Sequence, residues 1–290
     1  METPTRAGPT GAAQATLPGG GATGLGPEQF ATISELLQRI TGIRLQEGKE
    51  ELVRARLWKR LHALGLPDFS AYIDLLQSKA GAEELVLMVD ALSTNKTDFF
   101  RESPHFDFLG EQARALAGRP APLRLWSAGC SSGEEPYSIA ITLLQALPAA
   151  AHKNVRILAT DISTKVLGEA RAGVYAAEDV ADVPPTVRQK YFRVDRSTGA
   201  ERYRVNDAVR SLISFANLNL MAAWPMRGPF DFIFCRNVMI YFDRPTQEHL
   251  VRRFGQLLAP GAFLLIGHSE TLGGRSEEFV YRMPAVYQRR

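Results

Sequence analysis

The chain has 290 residues, 45% of them hydrophobic and 22% charged, which is enough apolar material for one large or two smaller globular domains. Its net charge of +3 is too small to argue for nucleic-acid binding from bulk charge alone. Two cysteines, Cys130 and Cys235, exclude a disulfide framework and make no metal site by themselves. No apolar run is long enough to span a membrane, and no secretory leader is read at the N-terminus.

Residues 1–26 are mostly Gly, Ala, Thr and Pro, a composition expected to stay disordered. From Pro27 the texture becomes helical: Phe30, Ile33, Leu36, Leu37 and Ile40 recur at helical spacing, and Gly42 marks a stop. Further helices are expected over 49–64, closed by Gly65 and Pro67, over 69–76 and over 83–92. Residues 27–93 therefore predict a small all-helical domain, and 94–120 a linker. On the second helix Val53, Leu57, Leu61 and Leu64 form one apolar stripe, with Lys49, Arg56, Lys59 and Arg60 on its flank.

Beyond the linker, strands and helices alternate. Strands are expected over 123–127, 155–159, 212–216, 230–234 and 262–266, with helices over 136–147, 164–172 and 246–258. This pattern predicts a mostly parallel sheet covered by helices on both faces, with residues 279–287 adding an antiparallel pair at its edge. Residues 175–203 interrupt the alternation and read as an inserted subdomain, with Ser197, Thr198 and Gly199 turning a small hairpin.

Four segments carry polar residues where such a sheet binds its ligand, beyond the carboxyl ends of the strands. The turn from Ser127 to Pro136 is built of small residues and then two acids, Glu134 and Glu135. Acids there repel a pyrophosphate and favour a cationic ligand; the plainer reading is that they stabilise a helix start. Asp161 ends the second strand, placed to accept ribose hydroxyls or to cap the next helix, although Ser163 can also cap it. Arg236 and Asn237 follow the fourth strand and lead to Tyr241. The alternative makes the first two solvated turn residues and Tyr241 packing. Asn95, Thr97 and Arg101 lie with Phe99 and Phe100 in a segment that suits a wedge between two domains.

Together these segments resemble the chemotaxis receptor glutamate methyltransferases, the CheR family. That family has a TNxTxFFR segment, a WSAxxSxGEEPYS loop, an acid after strand two, an FCRNVxIYF strand end and a GHSE motif, here Gly267 to Glu270. The resemblance covers about residues 30–287. It implies an α/β fold: a class I (Rossmann-like) S-adenosylmethionine-dependent methyltransferase sheet with a helical N-terminal domain and a small inserted β-subdomain. It places cofactor contacts on Asn95, Thr97, Arg101, Glu134, Asp161, Asn217, Leu218, Arg236 and Asn237, and puts Arg101 and Tyr241 at the substrate carboxylate. It makes Lys49, Arg56, Lys59 and Arg60 a docking flank for the glutamate-bearing helical bundle of a methyl-accepting receptor.

S-adenosylhomocysteine is then the product. No metal, no nucleic acid and no membrane contact except through receptors are expected, and the implied location is cytoplasmic. Some members grip a receptor C-terminal pentapeptide through the inserted subdomain. The short Arg196–Ala200 stretch suggests a member that works without that tether. His268 reads as structural. The rival readings are a same-fold methyltransferase acting on a small molecule or nucleic acid, and a non-catalytic cofactor-binding signalling protein.

Overall fold

The structure is a computed structural model that describes residues 24–196, 199–273 and 277–290. The expected disordered tail lies almost wholly outside the described residues, as does the Ser197–Thr198 tip of the expected hairpin.

Four helices build the amino-terminal part: α1 (Pro27–Thr41), α2 (Glu50–Leu64), α3 (Phe69–Gln77) and α4 (Ala82–Leu92). Pro27 opens α1, where its missing N–H costs nothing, and Gly42 closes it in a left-handed turn at φ 77°. Asp68 caps α3 by accepting the Ala71 N–H. Ile33, Leu37, Val53, Leu57, Leu61, Phe69, Tyr72 and Met88 are sealed inside this domain, whereas Leu64, expected on the same stripe of α2, is 40% exposed.

The expected linker contains a helix that the sequence reading did not find, α5 (Pro104–Leu116). Its Phe106, Leu109 and Ala113 enter the core of the sheet domain. The alternating part runs β1 (Leu123–Ala128), α6 (Glu134–Ala146), α7 (Ala149–His152), β2 (Val155–Asp161) and α8 (Thr164–Ala172). It continues through β3 (Val174–Ala176), α9 (Pro185–Tyr191), β4 (Phe192–Asp195), β5 (Arg202–Val205), α10 (Asp207–Arg210), β6 (Ile213–Asn217) and β7 (Phe230–Cys235). The chain ends with α11 (Arg244–Leu257), β8 (Leu258–Ile266), β9 (Phe279–Met283) and β10 (Val286–Arg289).

Seven strands form the main sheet in the order β6-β2-β1-β7-β8-β10-β9. The first five are parallel; β10 joins β8 antiparallel and β9 closes the edge as the expected hairpin partner. The chain moves from β1 outward through β2 to β6, then returns to the other side of β1 for β7. The ends of β1 and β7 thus flank a topological switch point, where open α/β sheets hold ligands. The insertion is an antiparallel sheet of β3, β5 and β4 with α9 beside it. Cys130 and Cys235 are both buried and unpaired.

Two side-chain ties dock the helical domain on the sheet domain. Asp90 of α4 accepts both the N–H (2.8 Å) and the hydroxyl (2.7 Å) of Thr164 at the start of α8. The Asn219 amide donates to the Ile40 carbonyl of α1 at 2.6 Å.

A cavity at the domain junction

A cavity of about 450 Å³ opens between the two domains, over the carboxyl ends of β1, β2 and β7. The helical side contributes Thr41, Ile43, Leu45, Lys49 and Leu52. The connection after α4 contributes Asn95, Thr97 and Arg101, and the sheet side Gly129, Ser131, Asp161, Leu218, Arg236, Asn237 and Tyr241.

The turn after β1 is shaped by crowding. Gly129, at φ 85°, has no room for a Cβ against Val238, and a Cβ at Gly133, at φ 102°, would meet the Tyr175 hydroxyl and Ala170. Ser131 itself is left-handed, its N–H donating to Asp161 Oδ2 at 2.8 Å and its hydroxyl to the Asn95 carbonyl at 2.7 Å. Asp161 also accepts the Ser163 N–H at 2.9 Å, while Ser163, not Asp161, accepts the Val166 N–H as the cap of α8. Burial pushes the Asp161 carboxyl up, against the pull of these N–H donors.

Arg236 is 6% exposed and is not a solvated turn residue. Its guanidinium donates to Glu102 Oε2 at 3.0 Å, to Glu135 Oε2 at 3.1 Å and to the Arg101 carbonyl. Ser127 donates its hydroxyl to Glu135 at 2.7 Å. Glu102 further accepts the His268 N–H at 3.2 Å and the Asn237 amide at 3.4 Å. Burial pushes Glu102 up, but Arg236 and the His268 N–H outweigh it, leaving its carboxyl below the ordinary range; burial holds Glu135 above that range despite Arg236. One guanidinium is thus shared between two carboxylates. Phe100, Glu102, Ser131 and Asn237 all have positive φ, a concentration of left-handed non-glycine residues typical of a functional site.

His105, fully buried, lies with its Nδ1 3.6 Å from Glu102 Oε2, and His268 lies with its Nε2 4.0 Å from the same oxygen. Burial and Arg236 pull the His105 imidazole down to about 4. The three side chains are close enough to share a cation, so His268 has neighbours that its isolation in sequence did not suggest. The Arg236 guanidinium competes for the same carboxylate oxygen.

Eight of the expected cofactor or substrate residues line the cavity: Asn95, Thr97, Arg101, Asp161, Leu218, Arg236, Asn237 and Tyr241; Lys49 of the expected docking flank also reaches it. Two others are placed elsewhere. Glu134 does not line it: its carboxylate turns back to the Ser132 hydroxyl at 2.8 Å, and burial pushes it up to about 7. Asn217 donates its amide to the Asp161 and Ile162 carbonyls and does not line the cavity; Asn219, two residues on, lines it, with its own amide bound to the Ile40 carbonyl. The strand ends at Asn217, so the chain turns inward one step later than the sequence suggested.

Half of the expected docking flank also differs. Arg56 donates to the Leu92 and Ser93 carbonyls at the end of α4, both at 3.0 Å, and Arg60 makes a two-pronged pair with Glu84 at 2.9 and 2.7 Å. These cations tie α2 to α4 because the carbonyl ends of α4 and a buried acid face them. Lys49 and Lys59 are exposed. Glu102 and Glu270 escaped the sequence reading as site-building residues, and Glu135, read there as an acid of the turn, was not linked to Arg236, since these partners lie about 30 to 130 residues away. For Glu270 the signal present was the GHSE motif that holds it.

Comparison with known proteins gives two adjoining matches. The all-alpha domain of CheR methyltransferases matches residues 28–93, and the S-adenosylmethionine-binding domain of CheR methyltransferases matches residues 95–286. A chemotaxis protein methyltransferase from Klebsiella aerogenes is 46% identical over 266 residues, covering 91% of this chain and 90% of the relative. Chemotaxis protein methyltransferase 2 of Pseudomonas aeruginosa is 46% identical over 84% of this chain and 86% of its own length. The Escherichia coli chemotaxis protein methyltransferase is 42% identical, with 91% of each chain covered.

Proposed function

The chain belongs to the CheR methyltransferase family, and from that premise we propose that it methylates glutamate side chains of chemotaxis receptors to γ-methyl esters with S-adenosylmethionine. The observation that carries the reading is a cavity over the carboxyl ends of β1, β2 and β7 that holds Asp161, placed for ribose hydroxyls, beside an Arg236 already paired with Glu102 and Glu135. Asp161, Asp98 and Glu135 in this lining offer carboxylates to the ammonium and sulfonium of S-adenosylmethionine. A volume of about 450 Å³ lies in the range of small-molecule pockets.

When bound, S-adenosylmethionine supplies a methyl group on a sulfonium, open to in-line displacement by an oxygen nucleophile. A glutamate side chain with pKa about 4.3 is already ionised at neutral pH, so the protein need supply no general base. Its residues hold and align. Asp161 offers carboxylate lone pairs to ribose hydroxyls, and Asn95, Thr97 and Asn237 offer polar contacts around the ligand. Leu218 and Asn219 are the residues for the adenine side. Arg101, whose guanidinium donates to the Lys96 carbonyl at 3.2 Å, and Tyr241 are the groups for orienting the acceptor carboxylate. Alignment of two reactants of this kind is a sufficient source of rate enhancement.

Acceptor side chains would come from the cytoplasmic helical bundle of a receptor, with Lys49 and Lys59 as the exposed cations that attract it. We read the inserted sheet as working without a pentapeptide tether; pull-down with receptor C-terminal peptides tests that part, and capture of the chain would reverse it.

The first experiment incubates the protein with tritiated S-adenosylmethionine and receptor-bearing membranes, followed by mild base. Label released from the receptor as methanol is the expected result. Binding of the cofactor with no base-labile label would replace this reading with another acceptor or a sensor. In the same assay Tyr241→Phe is expected to lower kcat about tenfold with little change in affinity for S-adenosylhomocysteine.

A further inference from the structure

The cavity wall formed by residues 236–241 is a connection with one short 3-10 turn, Met239–Tyr241. Asn237, within it, stands at φ 58°. A non-glycine residue in the left-handed region is uncommon and is held there by its surroundings.

Much of that fixing comes from one carboxylate. Glu270 Oε2 accepts the Asn237 N–H at 3.0 Å and also the Gly267 N–H, while Oε1 accepts the Ile240 N–H at 3.1 Å. The Glu270 N–H donates to the Gly267 carbonyl at 2.9 Å, closing the turn after β8. Gly267 has no room for a Cβ against the Asn237 backbone, so the two segments touch directly. Glu270 therefore spans the wall from Asn237 to Ile240 without lining the cavity itself. Tyr241 is the next residue, and its carbonyl accepts the Arg44 N–H at 2.9 Å from the connection between α1 and α2.

We propose that Glu270 is a positioning residue for methyl transfer: by holding the N–H groups of Asn237 and Ile240 it sets how Tyr241 enters the cavity. The proposal rests on the reading of Tyr241 as an acceptor-side group. A carboxylate is required because both of its oxygens accept backbone N–H groups. In Glu270→Gln one of them becomes an NH2 that faces an N–H in either orientation of the amide, so a change of similar shape still loosens the wall. A displacement near 1 Å at a reacting centre costs about 100-fold in rate.

The test measures receptor methylation and S-adenosylhomocysteine binding for Glu270→Gln, Tyr241→Phe and the double variant of the full chain. Glu270→Gln is expected to lower kcat about 10- to 100-fold with cofactor affinity held within about threefold, and the double variant to lose little beyond the worse single one, because residues acting through one another are not additive. Additive losses, or a fall in cofactor affinity that matches the fall in kcat, would mark Glu270 as general scaffolding and overturn the proposal. Full turnover in Glu270→Gln beside an impaired Tyr241→Phe would overturn it while leaving the Tyr241 reading intact. Full turnover in Tyr241→Phe would remove that reading itself. Should Glu270→Gln fail to fold, Glu270→Asp, which keeps the charge but is too short to reach both ends of the wall, is judged by the same criteria.

Discussion

Arg60 and Arg236 are both drawn into the protein by carboxylates, yet their surroundings differ in balance. Arg60 meets one acid, Glu84, which is 5% exposed and also accepts the Tyr72 hydroxyl at 2.8 Å. One cation, one anion and one hydroxyl close a neutral set that ties α2 to α3 and α4. Arg236 meets two acids, Glu102 and Glu135, and among the described residues neither its Nε nor the adjacent His105 Nδ1 has a hydrogen-bond partner. Burial of polar groups normally demands full pairing, so the closed set reads as scaffold and the open one as a place prepared for something else. Position agrees: Arg236 lines the cavity and Arg60 does not.

The contrast fails or sharpens under substitution. The largest effect is expected from Arg236→Met, which strands two buried carboxylates at a cost of about 3–5 kcal/mol and removes part of the cavity wall. Both the melting temperature and the affinity for S-adenosylhomocysteine should fall, by thermal melt and calorimetry; a stable variant with unchanged affinity would erase the distinction. Arg60→Met should cost about 3 kcal/mol of stability, because Glu84 is left buried and unpaired, while calorimetric affinity of the folded protein stays put. A loss of affinity there would show that the helical set also serves the site.

Glu134 supplies a third case, a buried acid with only a hydroxyl as side-chain partner. Its carboxyl is pushed from an ordinary 4.5 to about 7 by burial. The folded protein therefore holds a proton that the unfolded chain releases between those values, so this contribution is intact below about 4.5, falls as pH rises and is gone above about 7. The whole difference amounts to about 3 kcal/mol, and Glu134→Gln should flatten that part of a denaturation series run across the same pH range. A slope unchanged in the variant would mean that Glu134 is ionised throughout. His105 acts in the opposite sense: held down to about 4, it adds stability that is lost as pH drops from its ordinary 6.5. The smallest effect is expected at Asp161→Asn: in either orientation its NH2 faces the Ser131 or the Ser163 N–H, so stability should fall by about 1–2 kcal/mol and cofactor affinity by about tenfold.

Much of this was legible from the sequence because it is local. Gly42 and Gly65 end their helices where expected, Ser163 caps α8, and period-2 and buried apolar runs mark the strands. Helix α5 escaped because Pro104 and Gly110 break up a stretch already read as a connection, although Phe106, Leu109 and Ala113 repeat at helical spacing along it. The site residues given by motif fall mostly on the cavity. Asn217 lies at the end of β6, two positions before Asn219, the asparagine that lines the cavity. Arg56 and Arg60 stand on the expected flank but are tied to α4, which the sequence did not show. A helical wheel ranks residues by angle, but whether a flank is free depends on the neighbouring helix, and the acid that claims Arg60 sits 24 residues away.

The cavity draws its lining from both sides of the junction, with Thr41, Ile43 and Lys49 facing Asp161 and Arg236. The two halves are thus not independent modules. Grafting the amino-terminal helices of a relative onto this sheet would carry half of a binding wall with them. A chimera made to redirect acceptor choice would therefore also retune its grip on the methyl donor.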